Sequence, residues 1–238
     1  MLPLLLVSIQ ASVFREVNKC ESNWEPGNYN QLFLATFYAA AQCYKYSPTG
    51  QLGPVRGTNE FSLHGLWPNF NASSYPSNCN NSYPFNMKEI EGIPDLAKQW
   101  FSNVNSDEYF YDHEWTKHGT CATDILPTIR DYFSKSIELN KGLDLSGILK
   151  RAGITPSNTK MYTKASVAAA FKAALGVDVL LECLKYDGKS MLSGVDVLYA
   201  HDANFRMIQP GSDYVRKYAN KCPTSFYLPE IPDSCYRN

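Results

Sequence analysis

Residues 109–122 read Tyr-Phe-Tyr-Asp-His-Glu-Trp-Thr-Lys-His-Gly-Thr-Cys-Ala and gather four chemically active side chains within six positions. On a helix, residues four apart lie on the same face. His113 and Lys117 form one such pair, and Glu114 and His118 form another. Two adjacent helical stripes would therefore present two imidazoles, a carboxylate and an ammonium group to one side of the helix.

A third histidine, His64, lies in the stretch Phe-Ser-Leu-His-Gly-Leu-Trp-Pro-Asn, and the whole chain has only 4 histidines. Imidazole titrates near neutral pH, so two of them at one site can act as base and acid. A lysine suits an anion that gains charge in a transition state, and a carboxylate can orient an imidazole. With no serine or cysteine nucleophile among them, these groups point to in-line transfer at phosphorus.

Three other interpretations compete with phosphoryl transfer. The zinc-protease motif His-Glu-x-x-His needs histidines four apart, whereas His113 and His118 are five apart. A Cys/His nucleophile is the second, but Cys121 has no activating pattern beside it, and in a secreted chain we expect a disulfide there. The third is a solvated helix face with structural histidines. We disfavour it because three of the four histidines fall in two compact motifs.

The bulk composition bounds the fold and the compartment. A chain of 238 residues is long enough for one sizeable core, and a net charge of −1 does not indicate a uniformly basic nucleic-acid surface. The 7 cysteines include no Cys-x-x-Cys pair, which favours disulfides over a zinc module. We expect one α+β domain over residues 13–238, with a central antiparallel sheet flanked by helices.

The N-terminus indicates secretion. Residues 1–9 are an apolar run too short to span a bilayer, and small residues follow it. We interpret residues 1–12 as a secretory signal that lacks the usual basic leader, and a buried N-terminal strand is the alternative. Sequons at Asn71 and Asn80 are two expected glycosylation sites. No later apolar run is long enough for a membrane helix, so we expect no membrane partner.

Periodicity and turn residues predict the elements. We expect strands over 31–41, 60–63, 177–185 and 194–199, with alanines at the end of the first that can turn helical. We expect helices over 88–104, 125–139, 143–152 and 164–175. Pro68 should end the strand that delivers His64. Loops should cover 47–57 and 69–84, and the tail from Cys222 should be irregular.

Four segments of the chain resemble a known family. His-Gly-Leu-Trp-Pro at 64–68 and His-Glu-Trp-Thr-Lys-His-Gly-Thr-Cys at 113–121 are similar to the two active-site segments of the ribonuclease T2 family. Tyr-Pro-Ser-Asn-Cys at 75–79 and Lys-Cys-Pro-Thr-Ser at 221–225 resemble its plant members. The likeness extends over 32–229, which is most of the mature chain.

This resemblance implies a secreted, metal-independent endoribonuclease that acts on single-stranded RNA without a cofactor, in an extracellular or vacuolar setting. In the family, the histidine matching His118 is the base on the ribose 2′-hydroxyl. The one matching His64 protonates the leaving 5′-oxygen, and the product is a 2′,3′-cyclic phosphate. The residues matching Glu114 and Lys117 stabilise the pentavalent phosphorus, and the one matching His113 holds the phosphate. DNA lacks the 2′-hydroxyl and should be inert.

The resemblance also implies residues that stack on bases, but here the chain departs from the family. Trp67, Tyr75 and Phe110 match family stacking positions, and core packing is the alternative for each. Family members usually carry Gln-Trp-Pro near the end of the first strand, where this chain has Thr-Phe-Tyr-Ala at 36–39. This loss raises a second hypothesis, a ribonuclease-like plant storage protein with weak or absent activity. A self-incompatibility ribonuclease is disfavoured because that type goes with a basic chain.

The cysteines follow the family in part. Two family disulfides match pairs in this chain, namely Cys79–Cys121 and Cys183–Cys222. We further expect Cys20 to pair with Cys43, which leaves Cys235 over. Pairing of Cys235 with a second copy would give a homodimer.

Overall fold

The computed structural model describes residues 27–46 and 60–233. Its strands are β1 Gln31–Tyr38, β2 Phe61–Asn69, β3 Met161–Thr163, β4 Leu180–Tyr186, β5 Lys189–Ala200, β6 Met207–Ile208 and β7 Ser225–Tyr227. They form one sheet in the order β2-β1-β5-β7-β3, and β4 and β6 also pair with β5. The pairings are antiparallel except that of β5 with β7. The long strand β5 therefore joins the two halves of the sheet.

Helices lie against this sheet. They are α1 Ala39–Tyr46, α2 Leu96–Gln99, α3 Asp107–Lys117, α4 Ile129–Leu143, α5 Leu145–Arg151, α6 Lys164–Leu175 and α7 Ser212–Tyr218, with 3-10 turns at Met87–Glu89 and Gly119–Cys121. α3 begins after Ser106, whose hydroxyl accepts a hydrogen bond from the Tyr109 N–H. Thr128 and Asp131 form a capping box that starts α4. The α+β class predicted from the sequence is confirmed.

The core fixes β2 against the helices through a few buried rings. Trp100, Tyr132 and Phe133 are fully buried. The indole of Trp100 donates to the His64 carbonyl oxygen at 3.1 Å, and the Tyr132 hydroxyl donates to the Leu66 carbonyl oxygen at 2.9 Å. The backbone on both sides of the Gly-Leu step in β2 is therefore tied to the core.

The prediction that Pro68 ends the strand is wrong. β2 continues to Asn69, and Pro68 lies opposite Leu32 of β1. β2 is at the edge of the sheet. A proline is tolerated there because its missing N–H can face away from the neighbouring strand.

The prediction of one helix over 88–104 is also wrong. Gly92 and Asp95 both have positive φ, 75° and 62°, which an α-helix cannot contain. Only α2 and a 3-10 turn remain of the helix, and Trp100 is extended. The apolar residues whose spacing suggested one helix instead belong to several short segments, each of which buries a few side chains in the core.

The tail contains more order than predicted. Ser225–Tyr227 forms β7 and pairs with β3, because Tyr162 and Phe226 bury their rings at this end of the sheet. The disulfides Cys79–Cys121 and Cys183–Cys222 are both present, with Cα–Cα distances of 5.0 and 4.9 Å. Cys20, Cys235, the expected signal segment 1–12 and the expected loop 47–57 lie outside the described residues. None of the helices in the described ranges is long and apolar enough to cross a membrane.

Candidate active site

Two elements bring the predicted catalytic residues together. The edge strand β2 carries His64, and α3 carries His113, Glu114 and Lys117. His118 directly follows α3, and its backbone N–H still donates to the Glu114 carbonyl oxygen at 3.1 Å. All five side chains line one cavity.

A β-bulge aims His64 at α3. In the pairing of β1 with β2, Ala35 lies opposite Gly65, whereas Thr36 lies opposite Leu63. His64 is therefore the extra residue on β2, without a residue opposite it in β1. Such a bulge bends the strand and redirects a side chain. It takes His64 out of the strand's regular alternation and brings its ring to Glu114.

Gly65 provides the space in which the two motifs meet. The indole nitrogen of Trp67 donates to Glu114 Oε2 at 2.7 Å, directly over Gly65. A methyl group on Gly65 would overlap both partners of this hydrogen bond. The motif His-Gly-Leu-Trp-Pro thus requires a glycine at this position, because Glu114 of α3 approaches the backbone of β2 too closely for a larger residue.

Glu114 is a buried acid with one uncommitted oxygen. Its side chain is fully enclosed, and its Oε1 lies 3.9 Å from His64 Nε2. Among the described residues, Oε1 has no hydrogen-bond partner. Burial raises the pKa of this carboxyl to about 8, although the Trp67 hydrogen bond and the Lys117 charge oppose the shift.

The ring of His118 is stacked on Trp67, with ring centroids 5.0 Å apart and an angle of 25° between the planes. Only 4% of His118 is exposed, and its Nδ1 is buried without a hydrogen-bond partner in the described chain. Burial, followed by the charges of Lys117 and His113, holds its pKa well below the ordinary histidine value. Burial therefore favours the neutral form of this imidazole.

The ring of His64 also contacts Trp67, in an edge-to-face arrangement with centroids 4.7 Å apart. Phe37 of β1 stacks on it at 4.0 Å, and Phe110 of α3 lies 5.9 Å away. Burial, then the charges of His113 and Lys117, lowers the pKa of His64 to about 3. An anion bound beside it would oppose these effects and favour the imidazolium.

His113 and Lys117 form the outer, cationic side of the site. His113 is exposed, and its ring lies 6.5 Å from that of His118. Burial and then Lys117 lower the pKa of His113, against the opposing charge of Asp112. The ammonium of Lys117 lies 5.9 Å from the ring of Tyr75. An anion held here would meet positive charge from α3.

Two cavities flank these residues and share His64, His113 and Glu114. The Trp67 cavity, of about 270 Å³, is also lined by Asn69, Tyr75, Lys117, His118, Tyr214 and Lys217. The Phe37 cavity, of about 260 Å³, is also lined by Gln42, Ser102, Asn103, Asn105 and Phe110. A larger open groove of about 570 Å³ runs along α3 beside Tyr109 and Asp112, and no histidine lines it.

The three predicted stacking residues divide between the two cavities. Trp67 and Tyr75 line the first, where 49% of Tyr75 is exposed, and Phe110 lines the second. The structure adds Phe33, which stacks parallel to Trp67 at 5.6 Å. Phe33 and Phe37 are four residues apart on β1. Because side chains alternate between the two faces of a strand, this spacing puts both on one face, and that is the signal that could have identified them together.

Other cleft residues had no such signal. Tyr214 and Lys217 come from α7, far along the chain, and Asn103 comes from an irregular segment. Asn103 is 5% exposed, and neither polar atom of its side chain has a hydrogen-bond partner in the ranges described. In the same ranges, no three His, Cys, Asp or Glu side chains are grouped to hold a metal ion.

Comparison with known proteins agrees with this geometry. The chain is 34% identical to Ribonuclease Oy of Magallana gigas over 187 residues, which cover 73% of this chain and 85% of that protein. It is 36% identical to Extracellular ribonuclease LE of Solanum lycopersicum over 138 residues, covering 56% of this chain and 60% of that one. The crystal structure of RNase NT in complex with 5′-AMP superposes with a TM-score of 0.71 at 27% identity, over 85% of this chain and 98% of the other.

The family model of the ribonuclease T2 family matches residues 29–221. This range contains both histidine motifs, the bulged strand β2 and the helix α3. The resemblance seen in the motifs therefore extends from β1 to β6, and the chain belongs to the ribonuclease T2 family.

Proposed function

We propose that the protein is a metal-independent endoribonuclease that cleaves single-stranded RNA through a 2′,3′-cyclic phosphate. The observation that carries this proposal is the contact of two imidazoles with one indole, Trp67: the His118 ring stacks on it at 5.0 Å, and the His64 ring meets it edge-to-face at 4.7 Å. Transfer at phosphorus needs one group to remove a proton and another to supply one. Two imidazoles in one cleft meet this need.

In this mechanism His118 is the base, because burial keeps its ring neutral. It removes the proton of the ribose 2′-hydroxyl, and the 2′-oxygen bonds to phosphorus. The bond from phosphorus to the 5′-oxygen breaks, and the His64 imidazolium gives its proton to that oxygen. The products are a 2′,3′-cyclic phosphate and a free 5′-hydroxyl, and water opens the cyclic phosphate with the two roles reversed.

The remaining residues act on the phosphate. Lys117 places positive charge where the non-bridging oxygens of the transition state gain charge, and His113 holds the phosphate. Glu114 is held by the Trp67 hydrogen bond beside His64, and together with Lys117 it stabilises the pentavalent phosphorus. The charge is thus supplied by the chain itself, which is why we propose a reaction without metal.

The two flanking cavities support a substrate with a base on each side of the broken bond. Aromatic faces are sequence-tolerant platforms for bases. Trp67 and Tyr75 offer them in one cavity and Phe110 in the other. RNase NT was crystallised with 5′-AMP, and a nucleotide is the ligand class we propose here. DNA is excluded because it lacks the nucleophile.

We also propose that the chain is secreted, extracellular or vacuolar, and glycosylated. Asn71 and Asn80 are both exposed, as glycosylation requires. Two disulfides support an oxidising compartment. A shift in mass after treatment with a glycosidase, lost in Asn71→Gln and Asn80→Gln, would test the two sites.

The function is tested by cleavage of homopolymeric RNA between pH 4 and 8 in the presence of EDTA. We expect activity in the wild type and a loss of at least about 100-fold in both His64→Ala and His118→Ala, since each removes one proton transfer. The cyclic phosphate should appear in the ³¹P NMR spectrum before the 3′-phosphate. A DNA strand of the same sequence should remain intact.

His201→Ala is the matched control, because His201 lies outside the cleft, paired with Asp124 at 2.5 Å. Its activity per folded molecule should equal that of the wild type. No cleavage by correctly folded wild type would reject the proposal and favour the storage protein, for which the change at 36–39 is the argument. Loss of cleavage with EDTA would reject the metal-independent mechanism.

A further inference from the structure

Phe37 lines the cleft beside His64 but has no part in the mechanism above. Phe37 of β1 stacks on the His64 ring with centroids 4.0 Å apart and planes 24° apart. It lies opposite Ser62, next to the bulge that contains His64. The bulge frees His64 from the regular ladder, so the strand backbone alone does not fix the plane of its ring.

Within residues 27–46 and 60–233, no hydrogen bond to the His64 ring fixes its plane either. Glu114 Oε1 lies 3.9 Å from His64 Nε2, beyond hydrogen-bond range. The edge of Trp67 limits movement on one side, at an angle of 81°. Phe110, 5.9 Å away and tilted, restrains the ring less than Phe37 does. A ring stacked at 4.0 Å restricts the tilt of its partner, because aromatic pairs keep a narrow range of offset geometries.

We propose that Phe37 is a positioning residue for the general acid, holding the His64 imidazole in the plane from which it protonates the leaving oxygen. This inference rests on the proposed function and adds a residue to it. Phe37 itself touches no reacting atom in this account. In the cleavage of the RNA strand, its effect is therefore exerted where the 5′-oxygen leaves.

The test compares two substrates that differ only in the leaving group. A uridylyl-uridine dinucleotide has a poor leaving group that needs a proton, whereas uridine 3′-(4-nitrophenyl phosphate) releases a stable anion that does not. We expect Phe37→Leu to lower kcat on the dinucleotide by about 10-fold or more, within the range that a positioned acid contributes. On the nitrophenyl ester, kcat should change by less than about 2-fold, as expected when the acid is not used.

A double-mutant cycle tests whether Phe37 acts through His64. In the His64→Ala background, Phe37→Leu should cause no further loss, because residues that act as a unit are non-additive. Equal losses in both backgrounds would overturn the inference. So would a higher KM with unchanged kcat, which would make Phe37 a wall of the base cavity.

Two controls separate position from stability. Phe61→Leu removes a ring from the neighbouring strand, where Phe61 packs on Tyr38 at 5.0 Å outside the cleft, and should not alter the ratio between the two substrates. Phe37→Tyr keeps a stacked ring and should retain the wild-type ratio. If Phe37→Leu does not fold, the NMR spectrum of the wild type tests the inference instead. Stacking on Phe37 must shift the signals of the His64 ring protons upfield. Absence of that shift overturns the inference.

The two proposals fail in different ways. If His64→Ala loses the same activity on the dinucleotide and on the nitrophenyl ester, the acid role of His64 is wrong. If the loss of activity in His64→Ala depends on the leaving group but the loss in folded Phe37→Leu does not, only the role of Phe37 is wrong.

Discussion

Gly65 is the residue at which the two histidine motifs touch, since a Cβ there would overlap both Glu114 Oε2 and the Trp67 indole nitrogen. We predict that Gly65→Ala lowers kcat on RNA by at least about 10-fold, because it separates Trp67 from Glu114 and shifts the groups that flank His64. Steady-state kinetics and the melting temperature would be measured together.

The matched control is Gly142→Ala in α4, where a Cβ meets nothing within 4 Å. This variant should keep full activity and gain about 0.5–1 kcal/mol in the free energy of unfolding, as expected for alanine in a helix. Full activity in Gly65→Ala would mean that the hydrogen bond between Trp67 and Glu114 is unimportant for catalysis.

The low pKa of His64, about 3, fixes the direction of the pH dependence. The acid must carry a proton, and above its pKa the protonated fraction in the free protein rises as pH falls. Burial holds the pKa of the base His118 well below the ordinary histidine value, which favours its neutral form. We predict that kcat/KM, which reports on the free enzyme, rises by up to roughly tenfold per unit as pH falls from 7 toward 4. An optimum above pH 7 would contradict this assignment.

At the scale of elements, the Cys79–Cys121 disulfide ties the loop that carries Tyr75 to the turn after α3. The Asn78 N–H reinforces it by donating to the Lys117 carbonyl oxygen at 3.0 Å. Replacing both cysteines by alanine should lower the free energy of unfolding by about 4 kcal/mol on the chain-entropy account. It should also raise KM for RNA, because Tyr75 is released from the cleft.

Cys183–Cys222 is the matched comparison, with a sequence separation of 39 against 42. Its double alanine variant should lose about as much stability but raise KM less, since neither of its cysteines lines the cleft or holds the loop of Tyr75. Unfolding in denaturant and initial rates on RNA would give both quantities. An equal rise in KM for the two variants would show a general loosening instead.

The two histidine motifs were predictable because their chemistry is compressed into short segments on β2 and α3. The bulge at His64 was not, because it depends on the register with β1, which a single strand pattern does not reveal. The helix over 88–104 was predicted wrongly because buried residues of several short segments happen to have helical spacing. Gly92 and Pro94, which both disfavour a continuous helix, argued against it. The α7 side chains in the cleft reach it only through the fold of the whole sheet.

At the scale of the whole molecule, a buried acid couples the centre of the sheet to pH. Asp196 of β5 is 3% exposed, and its Oδ1 accepts from the Thr36 N–H of β1 at 3.1 Å. Burial, and then the charge of Glu182, raises its pKa well above the usual value. The folded protein therefore keeps a proton that the unfolded chain releases. The stabilisation is full below the ordinary pKa of aspartate and is lost as pH rises through the raised one.

Asp196→Asn keeps the shape of the side chain and removes its charge. We predict that the variant and the wild type have similar stability near pH 4, and that the variant becomes increasingly the more stable as pH rises toward 8. Denaturant unfolding at a series of pH values would measure the difference. A difference that does not change with pH would mean that Asp196 keeps its ordinary titration in the fold.

The bridge between Cys79 and Cys121 also bears on when the proposed ribonuclease becomes able to cleave the RNA of the cell that makes it. Cytosolic thiols stay reduced, and such bonds form only in oxidising compartments. On the proposed function, the newly made chain passes ribosomal and messenger RNA before Tyr75 is fastened beside His118, so its cleft is still incomplete. If the chain is secreted as proposed, its cleft would be completed only after it leaves the cytosol, and the bond that stabilises the fold would also keep cytosolic RNA from being cleaved.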